Sequence, residues 1–474
     1  MPRADRDAAV ADEIGDPDLL AGDPDQRSLT GRRAHTDGRM SSEWRGPGQR
    51  AGARAPGSSG ASWAIRRLFP LIATAGLILI GMIVTTVVEP RLFGGTAWTL
   101  PDDLWGTLVA ARRLVHLNIG GLYTQPTGLV TFPGGAVILA PIAAVGDAAG
   151  LSFTPQGAGN PQPALWLVAG PYMIATSCVA LFAADALAER LRVSRPKRAL
   201  LMLASTAVLW SVSVEWGHPE DAVAMGLVLY AILALSEGRP ARCAWLAGLA
   251  VAVQPLVLLV LPIMVAVVEP RRLAGFLARI AAPSAMLLGA AAAANWSATY
   301  RAVTSQPNWP SIDHPTPWTP LAPHLAGGTV AGGPSRAIAI LLACGCAVVV
   351  RTRLSGARGT SRWSEAVLRD FLWWAAVCLA LRSVFEPVMV AYYLWPALAV
   401  ALIAAAWSWR GLLPTAALAV AVSFGAQSGW RSAWGWWGLM LAGLALTLFF
   451  ARARGRTLRL PRAPGALPVP PGLS

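Results

Sequence analysis

The strongest constraint on this chain is a series of long apolar runs, beginning with LIATAGLILIGMIVTTVV at residues 71–88. A helix of about 20 apolar residues crosses the ~30 Å hydrocarbon core of a bilayer. About a dozen such runs follow one another, and 55% of the 474 residues are hydrophobic while 14% are charged. The sequence therefore predicts an all-α, polytopic transmembrane helical bundle with about 10–12 membrane segments, and it excludes a soluble protein.

The formal net charge of +14 does not indicate a nucleic-acid partner, because the excess positive charge is divided among short loops. Residues 1–60 carry nine Arg and ten Asp or Glu, so this region is nearly neutral. Basic clusters between apolar runs are typical of cytoplasmic loops, and they predict membrane lipids as partners. These clusters are at 195–198, 237–242, 269–272, 351–362 and 451–462.

Composition divides the chain into three parts. Residues 1–65 are rich in Asp, Arg, Gly, Ser and Pro, which predicts a disordered cytoplasmic tail. Residues 66–450 form the predicted transmembrane domain, and residues 451–474 form a basic, Pro-rich cytoplasmic tail. The five cysteines fall within or beside apolar runs, so they predict neither a metal site nor a disulfide framework.

Basic residues also predict the topology. Arg66 and Arg67 precede the first span, which makes the N-terminus cytoplasmic and residues 89–130 external. Counting back from the basic C-terminus makes residues 296–333 a second external loop. The count agrees between the two ends only if the Pro-interrupted segments 131–149 and 243–268 are re-entrant or broken helices rather than full spans.

This topology places the stretch EWGHPEDAVA, residues 215–224, at the external surface of the membrane. Ionisable side chains at membrane depth usually have a function. Pro219 begins a helix, and the helix dipole favours Glu220 and Asp221 in the first turn. Capping does not explain Glu215 and His218, which are therefore candidate functional residues.

Asp102 and Asp103 lie in LPDDLWGTLVAARRLVHLNIGGLY, residues 100–123, and allow two interpretations. One aspartate can be the N-cap of an amphipathic helix on the membrane surface. Alternatively, one of them can act as a general base, because a carboxylate at the surface can accept a proton from a substrate hydroxyl.

The segment LRSVFEPVMVAYYLWPAL, residues 381–398, also allows two interpretations. Arg382 and Glu386 have the i,i+4 spacing of a helical ion pair. An arginine near the outer face is equally suited to bind a lipid phosphate through paired hydrogen bonds. Tyr392 and Tyr393 can belong to an interfacial aromatic belt or to a binding site.

The Pro-rich segment at residues 305–328 contains the aromatic candidates Trp309, His314 and Trp318. Loops of this length in a compact protein are usually functional. The two tryptophans can stack on sugar rings, or they can anchor the loop at the lipid headgroups.

Several motifs occur in an order that resembles one family. Leu122-Tyr123 precedes TFPGG at 131–135, and GHPED at 217–221 follows. Next come GRPARCAWLAGLAVAVQPLVLLVLP at 238–262 and RSVFEPVMVAYYLWP at 382–396. In this order the chain resembles the GT-C superfamily of integral-membrane glycosyltransferases, nearest the polyprenol-phosphate-mannose-dependent mannosyltransferases (glycosyltransferase family 87) of actinobacteria.

The resemblance implies inverting transfer of a sugar, mannose in the nearest family, from a polyprenyl-phosphate donor to a lipid or cell-envelope glycan acceptor. It places this reaction at the outer face of the plasma membrane. It assigns the catalytic aspartate to Asp103, with Asp102 as the second choice. The chain departs from the family at Gln254, where a Lys is frequent, and at Phe132-Pro133-Gly134, where Tyr-Pro-Pro is frequent.

The remaining predicted site residues fall into two groups. Those expected to bind the donor phosphate are Arg382, His218 and Glu215. Those expected to bind the sugar or the acceptor are Trp309, His314, Trp318, Tyr392 and Tyr393. No cofactor is predicted, because the lipid-linked sugar is a substrate and its phosphate leaves already charged; the acidic cluster offers ligands to a divalent metal, which the reaction does not require.

Two other functions compete with glycosyl transfer. A multi-pass transporter or lipid flippase is the first alternative, although such proteins often contain matched repeats and bind their substrate near the bilayer midplane. The sequence contains no such repeat. A non-catalytic membrane partner or scaffold is the second alternative.

Overall fold

The computed structural model describes residues 59–88, 102–124, 129, 132–153, 163–311, 313–355, 363–428 and 432–452. The chain divides into the units Met1–Gly57 and Ser58–Ser474, and all described residues belong to the second unit. Most of the predicted N-terminal tail at 1–65 and of the C-terminal tail at 451–474 therefore lies outside the described residues.

The described residues are almost entirely helical, which confirms the predicted all-α class. Two-residue strands β1 (His314–Pro315) and β2 (Val388–Met389) pair antiparallel. Short π-helical turns, Val84–Val88 and Ser211–Glu215, follow α2 and α7, and the 3₁₀-helix Pro255–Val260 precedes α10. The helices are α1 Ser59–Arg66, α2 Leu68–Ile83, α3 Asp102–Val115, α4 Gly134–Ala148, α5 Pro163–Ser177, α6 Val179–Arg190, α7 Arg195–Trp210, α8 Pro219–Ser236, α9 Pro240–Val253, α10 Leu261–Ala266, α11 Pro270–Ala294, α12 Trp296–Thr304, α13 Pro334–Ser355, α14 Glu365–Phe385, α15 Trp395–Ala405, α16 Trp409–Gly425 and α17 Ala433–Ala451.

Local sequence signals set where several helices begin. The side chains of Asn295, Ser364, Ser408 and Ser432 each accept a hydrogen bond from a backbone N–H in the first turn of the helix that follows. Such caps satisfy an amide that has no partner within the helix. Other helices, including α8 at Pro219, begin with proline, whose fixed φ suits the first turn.

The helices differ strongly in burial. All of α15 is buried, and α8 buries 78% of its most apolar window. In contrast, α2, α11, α13 and α17 bury only 17–22% of theirs and expose large apolar side chains. Exposed apolar surface of this extent is unfavourable in water and favourable in lipid. The inner helices therefore form the core, and the outer helices provide a lipid-facing surface.

Seven helices in the described part of the chain are long and apolar enough to cross a membrane, which indicates a membrane-embedded protein. The predicted 10–12 segments counted broken or re-entrant helices as well, and five apolar helices of 10–17 residues, shorter than a full span, accompany these seven in the described residues. The seven are Leu68–Val88, Ala164–Arg190, Arg195–Glu215, Pro219–Ser236, Pro270–Ala294, Pro334–Leu354 and Ala433–Ala451.

The segments predicted to be re-entrant or broken contain these shorter helices. The 15 residues of α4 and the 14 residues of α9 extend about 22 Å and 21 Å, less than the ~30 Å core. At Gln254, α9 ends in extended backbone (φ −148°, ψ 115°), and a Cβ on Gly134 would lie 2.3 Å from the carbonyl oxygen of Ala252. The glycine therefore allows the start of α4 to contact the end of α9.

Charged residues gather at one end of the bundle, which we call the basic end. Asp185 of α6 accepts hydrogen bonds from Arg67 before α2 (2.8 Å) and from two nitrogens of Arg198 in α7 (2.8 and 2.7 Å). Arg192 forms an ion pair with Glu365 at the start of α14 (3.2 Å). The predicted cytoplasmic segments around residues 66 and 189–198 thus meet one another.

The opposite end, which we call the cavity end, contains the predicted external residues 215–221. The 21 residues Arg195–Glu215 extend about 31 Å along α7 and its π-helical turn, which separates the two ends by one membrane thickness. Trp216 donates a hydrogen bond from Nε1 to Gln427 after α16 (3.0 Å). Which end faces the cytoplasm stays a prediction.

Candidate functional site

A cavity of about 260 Å³ lies at the cavity end and contains a high density of polar side chains. It is formed where the turn before α8, the break after α9, the loop 305–313, and the ends of α13 and α14 meet. The lining residues are Trp216, His218, Gln254, Pro255, Leu256, Leu258, Leu259, Gln306, Pro307, Asn308, Trp309, Asp313, Arg336, Ala339, Ile340, Arg382, Phe385, Glu386, Val390, Tyr392 and Tyr393.

Arg382, in the last turn of α14, is the most unusual of these residues. Its guanidinium carbon lies 3.6 Å from the centre of the Tyr393 ring, close enough for a cation–π interaction. Its Nη1 is buried and has no hydrogen-bond partner in the described part of the chain. Buried polar groups in folded proteins are nearly always paired, so this nitrogen is suited to an anionic ligand.

A second arginine, Arg336 in the first turn of α13, reaches the same cavity. Its guanidinium forms an ion pair with Glu386, with Nε 2.8 Å from Oε1. The sequence offered Arg382 as the i,i+4 partner of Glu386, but Glu386 caps α14 with an extended backbone (φ −72°, ψ 136°). Because Glu386 has left the helix, its carboxylate binds Arg336 rather than Arg382.

His218 connects the acidic start of α8 to the cavity. Its Nδ1 lies 2.8 Å from Oε1 of Glu220, and its ring stacks on Tyr392 with centroids 4.3 Å apart. Gly217, just before it, has φ +64°, a left-handed conformation that glycine adopts without steric cost. This turn brings the ring of His218 against the ring of Tyr392.

Asp221 lies one residue further along α8 and is buried, with 1% of its surface exposed. The side-chain amide of Gln254 donates a hydrogen bond to its carboxylate. A neutral amide therefore faces the buried carboxylate of Asp221.

The loop 305–333 is fixed over the cavity by bonds to the end of α14. The Thr316 hydroxyl donates to the carbonyl of Glu386 (2.8 Å), and Trp318 Nε1 donates to the carbonyl of Val384 (2.7 Å). The β1–β2 pair adds a backbone connection between His314 and Met389. Trp318 therefore anchors the loop to the protein, and its role in binding the sugar or the acceptor stays a prediction.

Five of the predicted site residues come together in the cavity: His218, Trp309, Arg382, Tyr392 and Tyr393. Trp309 is 37% exposed, whereas Tyr392 and Tyr393 are buried. The roles assigned to these residues stay predictions, but their proximity is a property of the fold.

Other predicted residues do not line the cavity. Glu215 is exposed at the end of its π-helical turn. His314 stacks on the buried Trp436 with centroids 3.8 Å apart, and burial lowers its pKa. The backbone of Asp102 and Asp103 forms the first turn of α3, and their side chains lie outside the described part of the structure.

Two charged residues of the cavity, Arg336 and Asp313, were not predicted from the sequence. Both had a signal. Arg336 directly precedes an apolar span on its predicted external side, and Asp313 is the only acidic residue between residues 296 and 333. Neither stood out, because an isolated charge at the end of a span is common and the partner is distant in sequence.

The cavity offers cations rather than a metal-binding cluster. Within the described residues, no three His, Cys, Asp or Glu side chains are grouped so that they could hold a metal ion. Two guanidinium groups and several aromatic rings are suited to hold a phosphate and a polar ring.

No family model matches the chain, and no curated protein matches it significantly.

Proposed function

We propose that the protein is a membrane-embedded glycosyltransferase that takes a sugar, mannose in the nearest family, from a polyprenyl-phosphate donor. The observation that carries this proposal is the buried, unpartnered Nη1 of Arg382 beside a cavity with one apolar wall. A polyprenyl-phosphate sugar combines an anion, a polar ring and a long hydrocarbon chain. The cavity has a group suited to each of these parts.

The apolar wall supports a lipid substrate. Leu258 and Ile340 line the cavity and are 42% and 48% exposed, so this wall continues to the outer surface of the bundle. A volume of about 260 Å³ is slightly below the usual range of ~300–1,000 Å³ for small-molecule sites. This volume fits a headgroup inside the protein, with the hydrocarbon chain extending into the bilayer.

The charges support binding of the phosphate. Arg382 is held by Tyr393, which leaves its Nη1 available to a phosphate oxygen. Arg336 brings a second guanidinium, and its ion pair with Glu386 limits how far it can move. Guanidinium groups bind phosphate through paired, charge-assisted hydrogen bonds. Trp309 and Tyr392 line the same cavity, where we expect them to contact the sugar ring.

The proposed reaction is a single displacement. The acceptor hydroxyl oxygen attacks the anomeric carbon, the bond from that carbon to the phosphate oxygen breaks, and polyprenyl phosphate leaves with the bonding electrons. A carboxylate accepts the hydroxyl proton, and the configuration at the anomeric carbon inverts. The resemblance selects Asp103 as this base, with Asp102 as the second choice; Asp313 at the cavity is a further candidate.

Transfer is tested with the purified full chain, polyprenyl-phosphate mannose labelled in the sugar, and membranes of a deletion strain as the source of acceptor. We expect label in a glycan or glycolipid, and Asp103→Asn to slow its appearance by ~10²–10⁴-fold. A purely N-capping aspartate behaves differently: Asp103→Asn is silent, and Asp103→Ala costs ~1 kcal/mol of stability.

Matched variants identify the base. If Asp103→Asn keeps wild-type turnover while Asp102→Asn loses it, Asp102 is the base. If only Asp313→Asn loses turnover, Asp313 is the base. If the wild-type protein transfers no label to any acceptor but carries it across proteoliposomes, the protein is a transporter and the proposal is wrong.

The proposal also requires the cavity end to face outward. In a cysteine-free background, Leu321→Cys in the second loop (58% exposed) should react with an impermeant thiol reagent added outside intact cells. Arg192→Cys at the basic end (side chain 85% exposed) should react only after the membrane is opened. The reverse pattern contradicts an outer-face reaction.

A further inference from the structure

A second concave surface, with no lining residue in common with the cavity, lies on the lipid-facing side of the bundle. We infer that this groove, between α2 and α7, is a binding site for one anionic phospholipid. It has a volume of about 410 Å³ and is lined almost entirely by apolar side chains. The lining residues are Phe69, Ile72, Ala73, Gly76, Leu77, Ile80, Ala199, Met202, Leu203, Thr206, Ala207, Trp210 and Phe424.

The two walls follow the helical repeat and have the same length. The α2 wall runs from Phe69 to Ile80 and the α7 wall from Ala199 to Trp210. Eleven residues of helix rise about 16 Å, close to half of the ~30 Å hydrocarbon core. The groove therefore spans one leaflet, which is the depth of a single acyl chain.

The lining provides almost nothing to a polar ligand. The Thr206 hydroxyl already donates to the carbonyl of Met202 at 2.7 Å. Small residues open the groove, and a Cβ added at Gly76 would meet no atom within 4 Å. Leu203 and Ile72 are 68% and 61% exposed, so the groove is open to the surrounding lipid.

Positive charge lies at the end of the groove where both walls begin. Arg195 is one helical turn before Ala199, and Arg66 is three residues before Phe69. The backbone carbonyl of Arg66 accepts a hydrogen bond from Arg198 (3.0 Å), which holds the two chain segments together. Within the described residues, no hydrogen bond or ion pair engages the exposed side chains of Arg66 and Arg195, unlike those of Arg67 and Arg198.

These features identify the occupant. An apolar groove of one leaflet's depth accepts an acyl chain, and two unpaired arginines at its end attract an anionic headgroup. A neutral phospholipid would gain only the contacts with its chain. Because the groove lies on other helices than the cavity, this site does not depend on the proposed transferase activity.

The test is native mass spectrometry of the full chain with added dioleoylphosphatidylglycerol or dioleoylphosphatidylcholine. We expect tighter retention of the phosphatidylglycerol by the wild-type protein. Removing each arginine should weaken that retention about fivefold, or ~25-fold in the variant Arg66→Ala/Arg195→Ala. Arg271→Ala is the matched control, because this exposed arginine lies at the start of α11, away from the groove.

A second pair of variants tests the groove itself. Gly76→Leu fills it and should abolish retention of the bound lipid, whereas Gly289→Leu, also in open space on a lipid-facing helix, should not. Equal retention of the two lipids by the wild-type protein overturns the proposal, as does equal behaviour of the two leucine variants. A dimer that Gly76→Leu dissociates without any change in bound lipid would show that a second copy occupies the groove.

Discussion

Buried charged groups differ in their hydrogen-bond partners between the basic end and the cavity end of the bundle. At the basic end, Asp185 has no exposed surface, and three hydrogen bonds from Arg67 and Arg198 satisfy its carboxylate. At the cavity end, Arg382 has a buried nitrogen without a partner, although Glu386 is only four residues away and binds Arg336 instead.

We propose that this difference separates a structural role from a functional one. A buried ion pair whose hydrogen bonds are all made connects helices and needs nothing further. A buried cation without a full set of partners lowers stability, so its presence is best explained by a ligand that completes them. We therefore expect stability to depend on the basic end and ligand binding to depend on the cavity end.

The largest effect on stability is expected at Asp185. Removing one member of a buried charge pair leaves the others uncompensated, so Asp185→Asn should lower the free energy of unfolding by about 3–5 kcal/mol. Asp370→Asn, which breaks an exposed pair with Arg353, should cost less than about 1 kcal/mol. Denaturant unfolding of the purified variants in detergent measures both.

Arg382→Met sharpens the same comparison at the cavity end. It removes the cation–π contact with Tyr393, so it should cost no more than about 2 kcal/mol. If this substitution destabilises the protein as much as Asp185→Asn, Arg382 is a structural residue and the contrast between the ends is wrong.

A backbone contact produces the next largest effect. Because a Cβ at Gly134 would lie 2.3 Å from the Ala252 carbonyl oxygen, Gly134→Ala must push α4 away from α9 and should cost about 1–3 kcal/mol. Gly289→Ala in open space should instead be neutral or stabilise the helix by up to about 1 kcal/mol. Equal unfolding midpoints for the two variants would contradict the close packing of these helices.

The smallest effect concerns pH. Burial lowers the pKa of His314 below its ordinary value of 6.5, so the folded protein favours the neutral ring. The unfolded chain binds the proton first, and stability should fall as the pH drops below about 6.5 towards the lowered pKa. His314→Phe keeps a ring on Trp436 without titrating, and unfolding midpoints between pH 7 and 5 should then depend less on pH. An unchanged slope would show that His314 does not titrate in this range.

Much of the fold is predictable from the sequence because membrane helices are specified by length and apolarity. The start of α4 after Pro133 and the break at Pro255 were also visible, since proline cannot donate the hydrogen bond that continues a helix, whereas Pro141 lies inside α4 without ending it. Convergence of His218, Arg382 and Glu386 followed from placing helix ends on one side of the membrane. The final number of spans did not follow, because apolar composition alone does not distinguish a short buried helix from a full crossing.

The pairing of individual side chains was less predictable. The i,i+4 spacing of Arg382 and Glu386 suggested an ion pair, yet Pro387 disfavours the helical conformation for the residue before it. That signal was present and explains why Glu386 turns away. Its actual partner, Arg336, is 50 residues distant, and only the packed helices bring the two together.

Binding of decaprenyl phosphate to the purified wild-type protein, to Arg382→Lys and to the control Arg301→Lys, with decaprenol as the uncharged ligand, tests directly whether Arg382 binds the phosphate. We expect the wild-type protein and Arg301→Lys to prefer decaprenyl phosphate over decaprenol. Arg382→Lys should weaken phosphate binding by roughly 10- to 100-fold, because lysine cannot rebuild hydrogen bonds from a fixed guanidinium. Equal affinity of the wild-type protein and Arg382→Lys for decaprenyl phosphate would show that Arg382 does not bind the phosphate.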